Sequence, residues 1–220
     1  MKNIILILSF IFSINCFANL TENISVSSDY VWRGVTQTNH STAVSGGVDY
    51  NFDFGLGLGT WISNTDSNTK AEQDIYTNYT YGINDNISIG VGFIYYNYLQ
   101  KGSLDTSEFS LKSSLFKNDL SINYTDNYFG TKSSSFYYNI LRKIVLCSKN
   151  NINALIALGY TTFDNEQKAN IKDYMDYKIG LERVIETYNL GFYYSDTNRK
   201  DASALKLNDQ AFFVSLSKTF

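Results

Sequence analysis

Apolar and polar side chains alternate with a period of two through nearly the whole of this 220-residue chain. The i, i+3, i+4, i+7 spacing of an amphipathic helix is never sustained, so the pattern is that of half-buried strands. Strands are expected at about 22–33, 41–52, 54–64, 72–82, 86–98, 105–117, 119–128, 134–146, 151–163, 171–183, 187–197 and 207–220. That makes about twelve, an even number as bacterial membrane barrels require.

The connections sort themselves as well. Those near Asp53, Asn84-Asp85, Asn118, Lys149-Asn150 and Ile185-Glu186 are tight, whereas those at 34–40, 65–71, 99–104, 129–133, 164–170 and 198–206 are longer and polar. Short and long alternate throughout. Short turns at one end and long loops at the other are the plan of an up-and-down membrane barrel, and a soluble sandwich has no reason to segregate them.

The two faces of each strand differ in kind. In GLGLGTWIS, Leu56, Leu58 and Ile62 oppose Gly55, Gly57, Gly59 and Ser63; in NISIGVGFIYY, Ile87, Ile89, Val91, Phe93 and Tyr95 oppose Ser88, Gly90 and Gly92. Tyr50, Phe52, Tyr81 and Phe220 fall at the short-turn ends of the apolar face, and Trp32, Tyr95 and Tyr194 at the long-loop ends. Aromatic girdles mark both interfaces of such barrels. On this parity Ile24, Val26, Ser28, Tyr30 and Trp32 face lipid, while Ser25, Ser27, Asp29 and Arg33 face water inside. Gly34 then releases the chain from the sheet.

Composition agrees with this reading. The chain has 18 Tyr, 15 Phe and no Pro, which suits strands. The first residues, MKNIILILSFIFSINCFAN, carry one cation at Lys2, an apolar run from Ile4 to Ile14 and small or tolerated residues before Asn19, the three-part plan of a secretory signal cut after Ala18. Residues 1–18 are therefore read as a signal peptide and 19–220 as one barrel domain. A lipoprotein signal acylated at Cys16 is disfavoured by the Ser-Ile-Asn before it. Removing Lys2 from 18 cations leaves 17 against 21 anions, a net charge of −4. That argues against a nucleic-acid partner. Cys147 is left without a disulfide partner in the mature chain and reads as a small apolar residue near a turn.

Little in the sequence speaks for covalent chemistry. His40 is the only histidine; it lies in the first long loop, where a triad would lack fixed partners, and reads as a solvated loop residue. GLGLG and GVG are not nucleotide loops, because no helix follows them. Glu72 with Asp74, and Asp173 with Asp176, raise the question of calcium, but alternate residues on one strand face lie nearly 7 Å apart and read as water-lining carboxylates. No cofactor or metal is expected. The polar set on the inward parity is Asp29, Arg33, Asp49, Asp74, Glu108, Lys112, Asp176, Lys178 and Glu182. It either lines a solute path or forms salt bridges that fill the lumen.

About twelve strands give a backbone diameter of roughly 24 Å and, after side chains, an interior of about 12 Å. That leaves room for a narrow passage or for a plug.

The last residues, FFVSLSKTF, place Phe212, Val214, Leu216 and Phe220 on one face, and the chain ends on Phe. This resembles the C-terminal signal by which outer-membrane barrels are recognised by the assembly machinery; Lys218 departs from it, and its ammonium can snorkel to water. From SDYVWRGVTQT onward, through GGVDYNF, GLGLGTWISN, EQDIYTNYTYGI, SEFSLKSSL, YTDNYFG, DYMDYKIGL and LGFYYSDTN, the chain resembles the TorF family of porins, largely uncharacterised outer-membrane proteins. The first block and Trp61-x-Ser-Asn carry most of that likeness. Members often have Pro in the first loop and near residue 98, where this chain has none. The resemblance implies an outer-membrane barrel in contact with lipid. The function expected is a narrow passive channel for small hydrophilic solutes; the alternatives are a closed barrel with a structural or loop-mediated binding role and, less favoured, an outer-membrane hydrolase.

Overall fold

A computed structural model describes residues 18–201, 203 and 209–220. The expected signal peptide lies outside the described residues except for Ala18, whose backbone already belongs to the first strand. Twelve antiparallel strands form the wall: β1 (Ala18–Ser27), β4 (Ala43–Phe52), β5 (Leu56–Asn64), β6 (Ala71–Asn84), β7 (Ile87–Tyr98) and β8 (Thr106–Leu115), then β9 (Asn118–Thr125), β10 (Ser135–Cys147), β11 (Ile152–Phe163), β12 (Tyr174–Ile185), β13 (Tyr188–Thr197) and β14 (Ala211–Thr219). Each pairs with its neighbours, and β1 pairs with both β4 and β14, so the barrel is closed and no edge is left to pair elsewhere.

Alternation explains which face goes where. Ile24, Val48, Leu58, Ile75, Val91, Leu111, Ile140, Leu158, Ile179, Phe192 and Leu216 all stand exposed on the outer face, as does Ile122 on the remaining strand, β9. A soluble monomer rarely exposes more than a few hundred Å² of contiguous apolar surface, whereas this belt runs round the whole barrel. Lipid is the solvent that such a belt matches. Aromatic pairs flank it at one end with Tyr50 and Phe52, centroids 4.9 Å apart, and at the other with Tyr194 and Phe212 at 4.5 Å. Lys218 lies with its ammonium 5.3 Å from the Tyr188 ring and 4.3 Å from that of Phe220, a cation–π setting for the one charge in the terminal strand's apolar row.

The first strand departs from expectation. It ends at Ser27, and the chain then folds inward as a small hairpin of β2 (Val31–Trp32) and β3 (Val35–Thr36), paired Val31 with Thr36 and Trp32 with Val35. Tyr30 and Trp32 therefore do not face lipid, and Trp32 is no interfacial anchor. The cause is local and polar. Asp29, 3 % exposed, accepts hydrogen bonds from the Thr36 hydroxyl at 2.7 Å and the Thr38 hydroxyl at 2.8 Å, and its other oxygen lies 2.9 Å from His40 Nδ1. A carboxylate so satisfied draws residues 36–40 back beside 29 and turns the segment into the barrel. His40 is thus not a freely solvated loop residue but a partner of the hairpin's root.

Candidate functional site: the constricted lumen and its mouth

Gly34 is a hairpin turn residue rather than an exit from the wall. Arg33 and Gly34 both have positive φ, 47° and 75°, as a two-residue type I′ turn requires. At Gly34 a Cβ would lie 2.6 Å from Asp176 Cβ, so the hairpin tip presses its backbone against β12 where no side chain fits.

The tip presents Arg33 to a set of wall carboxylates. Its guanidinium donates to both oxygens of Glu108, at 2.9 and 2.6 Å, and lies 4.1 Å from the centroids of both Trp32 and Tyr137. The planar cation is thereby paired in a fork and held against two aromatic rings, an arrangement a lysine would not reproduce. Beside it the Tyr30 hydroxyl donates to Glu72 at 2.8 Å, while the Tyr30 ring meets Trp61 edge-on at 5.3 Å. Trp32 packs edge-on against Tyr96 and Phe129. Glu72, Asp74, Glu108 and Asp176 are all buried; desolvated carboxylates of this kind depend on charge partners and donors, and the hairpin supplies them to Glu72 and Glu108, while Asp74 Oδ1 and Asp176 Oδ2 accept no hydrogen bond from the described residues.

Below the hairpin the lumen is more open. The Tyr76 hydroxyl donates to Asp49 at 2.7 Å; the Tyr193 hydroxyl donates to Glu182 at 2.9 Å, and Lys143 pairs with the other Glu182 oxygen at 2.6 Å. Lys178 stands 5.8 Å from the Tyr193 ring, and Lys112 is solvated beside Ser121 and Asn139. A cavity of about 300 Å³ lies under the tip, bounded by Trp32, Arg33, Tyr137, Asp176, Lys178 and Ser195. A second, of about 340 Å³, lies above the hairpin among the long loops. In one of those loops Asp66 binds its own backbone: burial works to raise its carboxyl, but hydrogen bonds from Thr69 and Asn68 outweigh it and hold the group below the ordinary aspartate range.

Of the inward set, Asp49, Asp74, Glu108, Lys112, Asp176, Lys178 and Glu182 sit on wall strands and Arg33 at the hairpin tip, while Asp29 is the hairpin's root. The structure joins Arg33 to Glu108 and leaves Asp49 and Glu182 in separate clusters. That set omits Tyr30, Trp32, Tyr96, Tyr137 and Lys143, and it omits Glu72, which the sequence places with Asp74 as a water-lining carboxylate and the structure joins to Tyr30. Among the described residues no three His, Cys, Asp or Glu are arranged to hold a metal ion. The signal for the hairpin was present, since Tyr-Val-Trp and Val-Thr flank a two-residue Arg-Gly, a hairpin grammar inside what reads as one strand.

A closed twelve-stranded antiparallel barrel with a lipid-matched belt, a charged interior and an inward-folded loop has the fold of the outer-membrane porins. The chain belongs to the family described as "Bacterial protein of unknown function (Gcw_chp)", matched over residues 15–220. Among solved structures it is similar to the KdgM porin, with a TM-score of 0.58 and 12% identity over 93% of this chain and 99% of that one. It is similar also to the NanC porin, at 0.61 and 10% over 91% and 99%, and to an outer-membrane channel from Pseudomonas putida F1, at 0.52 and 11% over 91% and 95%. No curated protein matches the chain.

Proposed function

We propose that the protein is a narrow passive channel for small hydrophilic solutes in the bacterial outer membrane, working without a cofactor and without covalent chemistry. The observation that carries this reading is the interior of the barrel. It is lined by charged and hydroxylated side chains, and spaces of about 340 and 300 Å³ remain on the two sides of the hairpin. A polar lined space inside a lipid-matched wall serves solutes that lipid excludes. The likeness of SDYVWRGVTQT and Trp61-x-Ser-Asn to the TorF porins supports the same reading, and with it a terminal Phe220 presented to the barrel-assembly machinery.

The second reading is a closed barrel whose long loops bind a ligand or partner; the burial of Arg33 and Glu108, 8% and 2% exposed, favours it by showing how tightly the hairpin is seated. Planar-bilayer recording of the refolded protein separates the two. Discrete unitary conductance supports the channel, and a folded, inserted barrel without any conductance removes it in favour of the closed form.

A further inference from the structure

The cavity above the hairpin has an unusual construction. Each of the six long connections contributes to it: Gln37 from the inward hairpin, Asp66 from 65–70, Leu104 from 99–105, Phe129 from 126–134, Ile171 from 164–173 and Arg199 from 198–210. Its floor is the hairpin itself, with Trp32 among the aromatic rings exposed to it. Phe129 holds φ at 44°, which a bulky side chain rarely adopts, and so delivers its ring to within 5.4 Å of Trp32. Strain of this kind clusters where a surrounding structure fixes a side chain for a task.

The chemistry of the walls narrows the occupant. Of the two formal charges at the cavity, Arg199 is paired with Asp209 at 3.1 Å, while Asp66 keeps its charge with Oδ1 engaged by the amides of its own loop. An anion would find no unpaired cation among these residues, and a cation would compete with the loop's own donors for the Asp66 carboxylate. An apolar molecule would leave a polar group unpaired: Gln37 donates Nε2 to the Val35 carbonyl at 3.1 Å, and its carboxamide oxygen accepts from none of the described residues. Leaving such groups dry and unsatisfied is costly. A ligand that meets aromatic rings with a C–H face and meets the Gln37 carboxamide with a hydroxyl group satisfies both halves of the wall.

We propose that this mouth cavity is a binding site for a small neutral polyhydroxylated solute, a sugar of one or two rings. The volume lies at the low end of the range for small-molecule sites. The proposal rests on the channel reading for its purpose, capture of a solute at the entrance, but not for its test. The hairpin is both the floor of this site and the constriction below it, so a bound solute touches the element that narrows the lumen.

The chain has two tryptophans, so Trp61→Phe leaves Trp32 as the only indole, and its emission reports on the cavity. The refolded, heat-modifiable variant in micelles is titrated with maltose, with glycine betaine at equal osmolality as control. A saturable change with a midpoint in the millimolar range is expected for maltose alone, and adding Gln37→Ala should raise that midpoint about fivefold. Equilibrium dialysis of labelled maltose against the wild-type protein gives the same answer should Trp61→Phe fail to fold. No saturation, or the same change with betaine, overturns the site. Conductance recorded on the same preparation keeps the two claims apart: a conducting barrel that does not saturate with maltose overturns the site alone, while saturable binding without conductance upholds the site and removes the channel.

Discussion

Arg33 and Glu108 form a bidentate ion pair across the barrel interior, joining the tip of an inward-folded hairpin to the wall strand β8 through contacts of 2.9 and 2.6 Å. The pair is almost fully desolvated, so neither charge can be left alone cheaply.

The pair should therefore behave as a unit. Arg33→Met leaves Glu108 buried without its cation and should cost about 3–5 kcal/mol of barrel stability. Arg33→Met combined with Glu108→Leu should recover a large part of that loss. In urea titrations of the micelle-refolded protein the two single changes are expected to be non-additive by at least about 1 kcal/mol. Additive effects would mean that the hairpin is held by something other than this pair.

The facing of the wall can be tested at two positions. Val91 stands exposed on the outer face between Tyr79 and Leu111, and Ser121 points inward between Lys112 and Asn139. Val91→Arg should cost about 2–4 kcal/mol, the range for a cation on the lipid face near mid-membrane. Ser121→Arg, beside water, should cost clearly less. Equal losses in refolding titrations would show the register to be displaced by one residue.

The loop around Asp66 should be sensitive to acid. Its carboxyl is held below the ordinary aspartate range by hydrogen bonds from Thr69 and Asn68, which outweigh the raising effect of burial. A depressed folded-state pKa gives stability that is present above the unfolded value and is lost as pH falls through the folded one. Protection of the Asn68 and Thr69 amides, taken relative to their intrinsic exchange rate at each pH, should fall as the pH drops below that of ordinary aspartate titration. Asp66→Asn should remove most of this pH dependence, and unchanged acid sensitivity in that variant would assign it elsewhere.

Most of the wall was legible in the sequence because a barrel imposes one rule on every strand, apolar outward and polar inward, with a period of two. Strands such as β7 and β11 lie where alternation places them. The first strand shows where the rule loses its meaning. Tyr30 and Trp32 continue the alternation of Ile24 and Val26, yet they pack into an aromatic lumen rather than against lipid. Alternation reports that one face is apolar, and an interior lined by Tyr96, Tyr98 and Phe129 satisfies a large aromatic residue as well as an acyl chain does. The deciding information was in polar residues spaced for local bonding, Asp29 with Thr36, Thr38 and His40, which reads as a loop until the folded partners are seen. The pairing of Arg33 with Glu108 was likewise hidden, since residues 75 apart in sequence share no pattern.

The central claim is that the inward hairpin sets the width of the passage, and the most direct test is to remove it. Replacing residues 30–37 by a short Gly-Ser linker leaves the paired portions of β1 and β4 in place. The refolded variant and the wild-type protein are then compared in planar bilayers at the same salt concentration. The account predicts a small unitary conductance for the wild type and one several times larger for the variant, as the spaces above and below the hairpin merge. Equal conductance from two folded, inserted barrels would contradict it.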